Sequence, residues 1–207
     1  MKKIVVLAPH TDDGEYGCGG TIARFLEEGK EVYYVTFSTC RASVPKGQPE
    51  DILKTELLSS MQHYGISDKN IIILDYPVRN FNLHRQSILD DMITIGRKIQ
   101  PDLVLMPSIQ DIHQDHRTVA EEAMRAYKKT SLMGYELPWN NFSFNNQAYI
   151  ALEDRHIESK IDAIACYKTQ STRDYSDPEF TKGLARAHGV QIGVKYAEVF
   201  ETVRWII

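Results

Sequence analysis

Two short clusters carry residue types that bind metals and move protons: His10-Thr11-Asp12-Asp13 and His113-Gln114-Asp115-His116. Imidazole nitrogens and carboxylate oxygens are donors that zinc prefers, and a catalytic zinc keeps one position open for water or substrate. A single histidine is more often a cap or a surface residue. Two histidine–aspartate clusters brought to one crevice supply the several donors that one ion needs. Adjacent carboxylates such as Asp12 and Asp13 can hold separate jobs when their surroundings push their pKa values apart.

The stretch Gly14-Glu15-Tyr16-Gly17-Cys18-Gly19-Gly20 opens a competing reading. Glu15-x-Gly17-x-Gly19 resembles the nucleotide loop of S-adenosylmethionine-dependent methyltransferases. Such a loop works with an acidic residue after the second strand that holds a ribose, and the chain there reads Thr36-Phe37-Ser38. The simpler reading is that the glycines let a tight turn and the following helix lie close to a sheet.

The elements that must position these clusters follow from hydrophobic periodicity. Ile4–Ala8 is a continuous apolar run suited to a buried parallel strand. Thr21–Glu28 has helical spacing and stops at Gly29. Val32–Phe37, Ile71–Leu74 and Leu103–Met106 read as further strands. Helical patterns cover Pro49–Tyr64, Arg85–Ile99 and Thr118–Lys128. Later come strands over Leu132–Tyr135, Gln147–Leu152 and Tyr196–Ile206, with helices over Glu153–Tyr167 and Pro178–Ala187. Repeated βα units imply an α/β fold: a Rossmann-like, mostly parallel sheet with helices on both faces, and here a smaller C-terminal α/β extension. Ligands collect at the carboxyl ends of such strands. Both clusters fall there, one after Ala8 and one after Met106.

The 207 residues, 43% hydrophobic and 25% charged, suit one globular domain spanning residues 1–207. A net charge of −4 with no long basic block argues against a nucleic-acid partner. The start MKKIVVLAPH is too short in its apolar part for a signal peptide. No run reaches the length of a membrane span. Three widely spaced cysteines suggest reduced thiols in a cytoplasmic protein.

The segment Ala8–Ala23, APHTDDGEYGCGGTIA, resembles the first motif of the PIG-L/LmbE-like N-acetylglucosaminyl deacetylases, and His113–His116 resembles their H-P-D-H motif. Tyr167-Lys168-Thr169-Gln170 and Gly193–Phe200 resemble the family's K-x-Q and G-x-x-Y-A-E-x-F segments. The resemblance implies one Zn²⁺ per chain (other divalent metals being possible), bound by His10, Asp13 and His116. It implies Asp12 as general base, and His113 as general acid or oxyanion stabiliser oriented by Asp115. The reaction so implied is hydrolysis of an N-acyl, normally N-acetyl, amide on an amino sugar. Zinc acidifies water and polarises the amide carbonyl. The chain departs from the family pattern at Thr11 and Gln114, where proline is usual, and at Gly14, where a glutamate is common but is read as non-essential; Glu15 comes one place later. Asp111 stands where some members place an aromatic hydroxyl against the oxyanion.

Substrate contacts are expected from residues near the strand ends and in the C-terminal third. Arg41 follows the second strand, with Glu56 on the next helix to orient it. Arg79 follows the third strand. Trp139 lies in the aromatic, asparagine-rich loop Pro138–Asn146, which suits a sugar face. Lys168, Gln170, Arg186 and His188 come later. The expected partner is a small N-acylated amino sugar. Oligomers are common in the family, and the aromatic loop offers a contact surface, so a homo-oligomer is expected. The alternatives are a methyltransferase and a non-catalytic sugar-binding protein of the same fold; the intact charge cluster speaks against the latter.

Overall fold

The computed structural model describes residues 1–207. Strands β1 (Lys3–Ala8), β2 (Glu31–Thr36), β3 (Ile71–Ile73), β4 (Leu103–Pro107) and β5 (Ser131–Tyr135) pair in parallel in the order β3-β2-β1-β4-β5. The sheet continues through β6 (Ala148–Leu152) and β7 (Tyr196–Arg204), with β7 between β5 and β6 and antiparallel to both. The expected C-terminal extension is therefore part of the one seven-stranded sheet. Strand β7 covers the edge of β5, and β6 in turn pairs with β7.

Strand β1 alternates its side chains between two cores, as a pleated strand buried on both faces must. Ile4, Val6 and Ala8 enter one core with residues of α1 (Asp13–Glu27), α2 (Ile52–Tyr64) and α5 (Asp154–Ile164). Val5 and Leu7 enter the other with residues of α3 (Arg85–Ile99) and α4 (Gln114–Ala126). Helix α6 (Pro178–Gln191) packs on β7. Each fully buried Ile or Leu contributes about 1.5–3 kcal/mol. Helix α3 shows how the pattern works: Ile88, Met92, Ile95 and Ile99 recur at helical spacing, and the helix ends at Gln100 in the left-handed region, just before Pro101. No helix is long and apolar enough to cross a membrane.

Two helices start earlier than periodicity indicates. Helix α1 begins at Asp13 and takes in the whole glycine-rich stretch. A Cβ on Gly14 would lie 2.6 Å from the Tyr34 ring, and one on Gly17 would lie 2.2 Å from the Tyr135 ring. Glycine is required there by closeness to the sheet, which overrides its poor helix propensity. The stretch thus forms a helix pressed on aromatic rings, not an open nucleotide loop. Helix α4 begins at Gln114, with His113 as its N-cap.

Helix α1 is kinked at Cys18, whose backbone is non-helical (φ −147°). The kink frees backbone N–H groups of the next turn. Gly20 and Thr21 donate theirs to the Glu198 carboxylate of β7, at 3.0 and 2.7 Å. Lys160 of α5 also donates to Glu198, at 2.7 Å, and to the Tyr16 carbonyl, at 2.7 Å. This buried junction locks α1, α5 and β7 together. Glu15, fully buried on α1, accepts from the hydroxyls of Tyr34, Ser60 and Tyr167. It therefore has a structural role beneath the His10–Asp13 turn.

Candidate metal and catalytic site

The strand order reverses direction between β1 and β4, which are direct neighbours. A crevice opens at such a switch point because the connections leaving the two strands run to opposite faces. Residues 10–13 leave β1 and residues 111–116 follow β4, so the topology brings the two clusters together. Asp13 starts α1 and His116 lies in the first turn of α4.

Three donor atoms meet there. His10 Nδ1 lies 3.1 Å from Asp13 Oδ2 and 3.1 Å from His116 Nε2, and His116 Nε2 lies 3.2 Å from Asp13 Oδ2. Tetrahedral zinc ligands at ~2.0–2.1 Å from the ion would stand about 3.3 Å apart. The near-equilateral triangle fits such an ion with little movement. The remaining ring nitrogens also fit: His10 Nε2 lies 3.1 Å from Asp115 Oδ2, and His116 Nδ1 lies 2.7 Å from Asp111 Oδ2. Outer nitrogens that donate to carboxylates leave the inner ones as free donors to a metal. His113 is also near, with ligand atoms of His10, His113 and His116 all within 4.8 Å of one another. Its Nδ1, however, accepts the Asp115 N–H at 3.2 Å, which leaves its Nε2 side for other use.

Electrostatics separates the two aspartates. Burial works against a charge on Asp13, but His116 and His10 hold its carboxyl well below the usual range. Burial and then the Asp13 charge push the half-buried Asp12 up to about 7. Asp12 N-caps α1 without a side-chain hydrogen bond, so its carboxylate remains free in the crevice. Burial works against charge on His10 and His116, yet Asp13 and the other carboxylates raise them to about 9 and about 10. Burial, with His116 and His10 beside it, pulls His113 down to about 4. It is therefore a neutral imidazole at pH 7, with Nδ1 occupied as an acceptor and Nε2–H free to donate.

The expected pairing of Asp115 with His113 is not the one in the structure. The Asp115 carboxylate faces His10 and also accepts the N–H groups of Arg79, at 2.5 Å, and Phe81, at 3.2 Å. Only the Asp115 backbone reaches His113. The reason is local: Asp115 sits inside the first turn of α4, while His113 is the cap before it. Asp111, considered from sequence only as a replaced oxyanion donor, is buried against His116 instead. Its signal in sequence was its place two residues before His113 and five before His116, on the segment entering α4.

A cleft of about 290 Å³ lies over these groups. One wall is aromatic: Trp139 stacks on Tyr175 with centroids 4.0 Å apart, and Tyr16 meets both rings edge-on. Arg79, Ser43, Gln170 and Asn140 add polar groups to the lining. Of the expected substrate residues, Arg79, Trp139 and Gln170 therefore line the cleft. Arg41 does not; it is exposed and paired with Asp75 at 3.1 Å. Glu56 does not orient Arg41 either, because it faces the other way and accepts the Thr169 N–H and hydroxyl at 2.9 and 2.6 Å. Lys168 is exposed outside the cleft. Arg186 bonds the carbonyls of Val194 and Lys195, and His188 is buried 3.3 Å from Glu136, beside a separate small cavity. Tyr16 and Tyr175 were not anticipated: Tyr16 sits on α1 in the stretch read as a turn, and only folding brings the loop that carries Tyr175 over the His10–Asp13–His116 triangle.

Comparison with known proteins gives the chain its relatives. It is 29% identical over 185 residues to the diacetylchitobiose deacetylase of Thermococcus kodakarensis, a match covering 86% of this chain and 64% of that protein. The chain thus spans under two thirds of that relative's length. The N,N'-diacetylchitobiose deacetylase of Pyrococcus horikoshii superposes with a TM-score of 0.82 at 24% identity, over 97% of this chain and 83% of that one. The 4-carboxy-2-hydroxymuconate hydratase GalB of Pseudomonas putida shares the fold as well, with a TM-score of 0.79 at 20% identity, over 100% of this chain and 98% of that one. Residues 5–127, which carry both histidine–aspartate clusters, match the model of the PIG-L family, described as GlcNAc-PI de-N-acetylase, and the chain belongs to that family.

Proposed function

We propose that the protein is a metal-dependent N-deacetylase that hydrolyses the N-acyl amide, normally N-acetyl, of a small amino sugar or its glycoside. The observation that carries this reading is the triangle of His10 Nδ1, Asp13 Oδ2 and His116 Nε2 beside an uncommitted Asp12 carboxylate. Family membership and the deacetylase relatives support it. A hydratase of the same fold means that the fold alone does not carry it.

His10, Asp13 and His116 would hold one zinc ion or a similar dication. When bound, it supplies a Lewis acid for the amide carbonyl and makes water more acidic. Asp12 takes a proton from the attacking water as its oxygen bonds to the carbonyl carbon. His113 Nε2–H donates to the carbonyl oxygen as negative charge develops there. The carbon–nitrogen bond then breaks as Asp12 passes its proton to the departing nitrogen, giving a free amine and a carboxylic acid, which ionises to the carboxylate by releasing its own proton to water. The Trp139–Tyr175 wall packs against a sugar face, and Gln170, Asn140 and Arg79 address its polar groups. A soluble homo-oligomeric enzyme that does not bind nucleic acid completes the proposal.

The test is turnover of the zinc-loaded protein on a panel of N-acetylated sugars, glycosides and nucleotide sugars, with free amine and acetate measured together. Equimolar release of both, abolished by a chelator and restored by zinc, is expected. No amine release from any member of the panel would count against the reading.

A further inference from the structure

Asp111 is a buried carboxylate, 3% exposed, and no lysine or arginine is paired with it. Removing such a group from water is costly unless donors surround it. Its donors here are three. The His116 Nδ1 lies 2.7 Å from Oδ2, the His113 backbone N–H reaches Oδ1 at 2.8 Å, and Asn140 Nδ2 lies 3.4 Å from Oδ2. The short contact is the one to His116, whose other nitrogen belongs to the metal triangle.

We propose that Asp111 is the positioning residue of His116: it keeps the proton on Nδ1, leaves Nε2 free for a metal, and so raises metal affinity. The inference rests on reading His10, Asp13 and His116 as the metal site. A histidine ligand whose second nitrogen donates to a carboxylate is fixed in tautomer and ring orientation and becomes a stronger donor. The same carboxylate holds the first N–H of the segment entering α4, so His116 and His113 take their places from one side chain.

A merely structural role would be different. If Asp111 only secured the His113 backbone, the amide oxygen of Asp111→Asn would accept that N–H equally well, and metal affinity would not move. The test compares wild type, Asp111→Asn and Asp111→Ala, using zinc alone in competition with a chromogenic chelator, together with thermal unfolding of the metal-free proteins. Zinc affinity is expected to fall about 10–100-fold in folded Asp111→Asn. In the zinc-loaded protein, the His116 Nδ1–H proton resonance should lie far downfield in wild type because of its short hydrogen bond to Asp111, and less so in Asp111→Asn. Should Asp111→Ala not fold, the near-isosteric Asn variant carries the comparison. Zinc affinity of Asp111→Asn within about threefold of wild type, well short of the loss that removing a ligand's hydrogen-bond partner brings, would overturn the proposal. Failure of wild type itself to take up zinc would overturn the metal site and this role together, and is recognised by wild type and variants behaving alike.

Discussion

The Asp115 carboxylate stands 3.1 Å from His10 Nε2 although the two residues are 105 positions apart. One buried side chain thereby ties the first metal-ligand candidate to the loop after β3, through the N–H groups of Arg79 and Phe81. Arg79 adopts a left-handed backbone (φ 71°), an uncommon conformation for a residue other than glycine. Asp115 holds it there. Asp115→Asn is expected to weaken zinc binding about 10–100-fold, because His10 loses its charged partner. It should also raise KM, because the Arg79 side of the cleft is released. A variant with a changed pH profile but wild-type zinc affinity would return Asp115 to the His113 role.

The adjacent aspartates should separate cleanly. Asp12→Asn is expected to keep its zinc and lose about 10²–10⁴ in kcat, the usual loss for a general base. Asp13→Asn is expected to lose metal. Zinc content by atomic absorption, read beside turnover, checks both; the opposite pattern would exchange the two roles.

Metal uptake should release protons. The raised values of His10, about 9, and His116, about 10, mean that both stay protonated in the metal-free chain at neutral pH. Each must surrender a proton to bind. Because these values are raised, zinc affinity is expected to climb as pH rises toward 9 and to fall as it drops, with a slope of about one to two decades per pH unit near neutrality. Chelator competition at several pH values gives the slope, and a flat line would contradict the electrostatics of the triangle.

The Lys160–Glu198 junction bears on stability rather than chemistry. Both side chains are buried, and removing one partner of a buried pair costs about 3–5 kcal/mol. Glu198→Ala should approach that value, since it strands Lys160 and the N–H groups of Gly20 and Thr21. Lys160→Met should cost less, because Glu198 keeps those two donors. Urea unfolding of the two variants gives the ranking, and the reverse order would mean that the kink in α1 is held by other contacts.

The aromatic wall predicts a binding effect. Trp139→Ala removes the partner stacked on Tyr175. It is expected to raise KM by about fivefold, in keeping with roughly 1 kcal/mol per aromatic contact, while kcat changes little. An equal loss in kcat would place Trp139 closer to the reacting atoms than the cleft wall.

The βα rhythm and the placement of both histidine–aspartate clusters at strand ends were legible in the residues themselves. Apolar runs fix strands, and a parallel sheet puts every strand's carboxyl end on one side. His10 and His116 were therefore bound to share an edge of the sheet, whatever the packing details. Local spacing did not reveal which carboxylate serves which imidazole, because Asp115 with His10 and Asp111 with His116 depend on how β1 and β4 come to lie side by side and on the direction in which α4 leaves the crevice. The start of α1 was hidden for a related reason: glycine argues against a helix in isolation, and only the Tyr34 and Tyr135 rings beneath it make glycine necessary. Glu56 and Arg41 likewise looked like partners by nearness in the chain, until folding gave Thr169 to one and Asp75 to the other. Sequence determined which elements form and which end of the sheet bears the chemistry, since both follow from short-range periodicity. The tertiary structure decided the hydrogen-bond partners, since those depend on contacts between distant segments that no local pattern encodes.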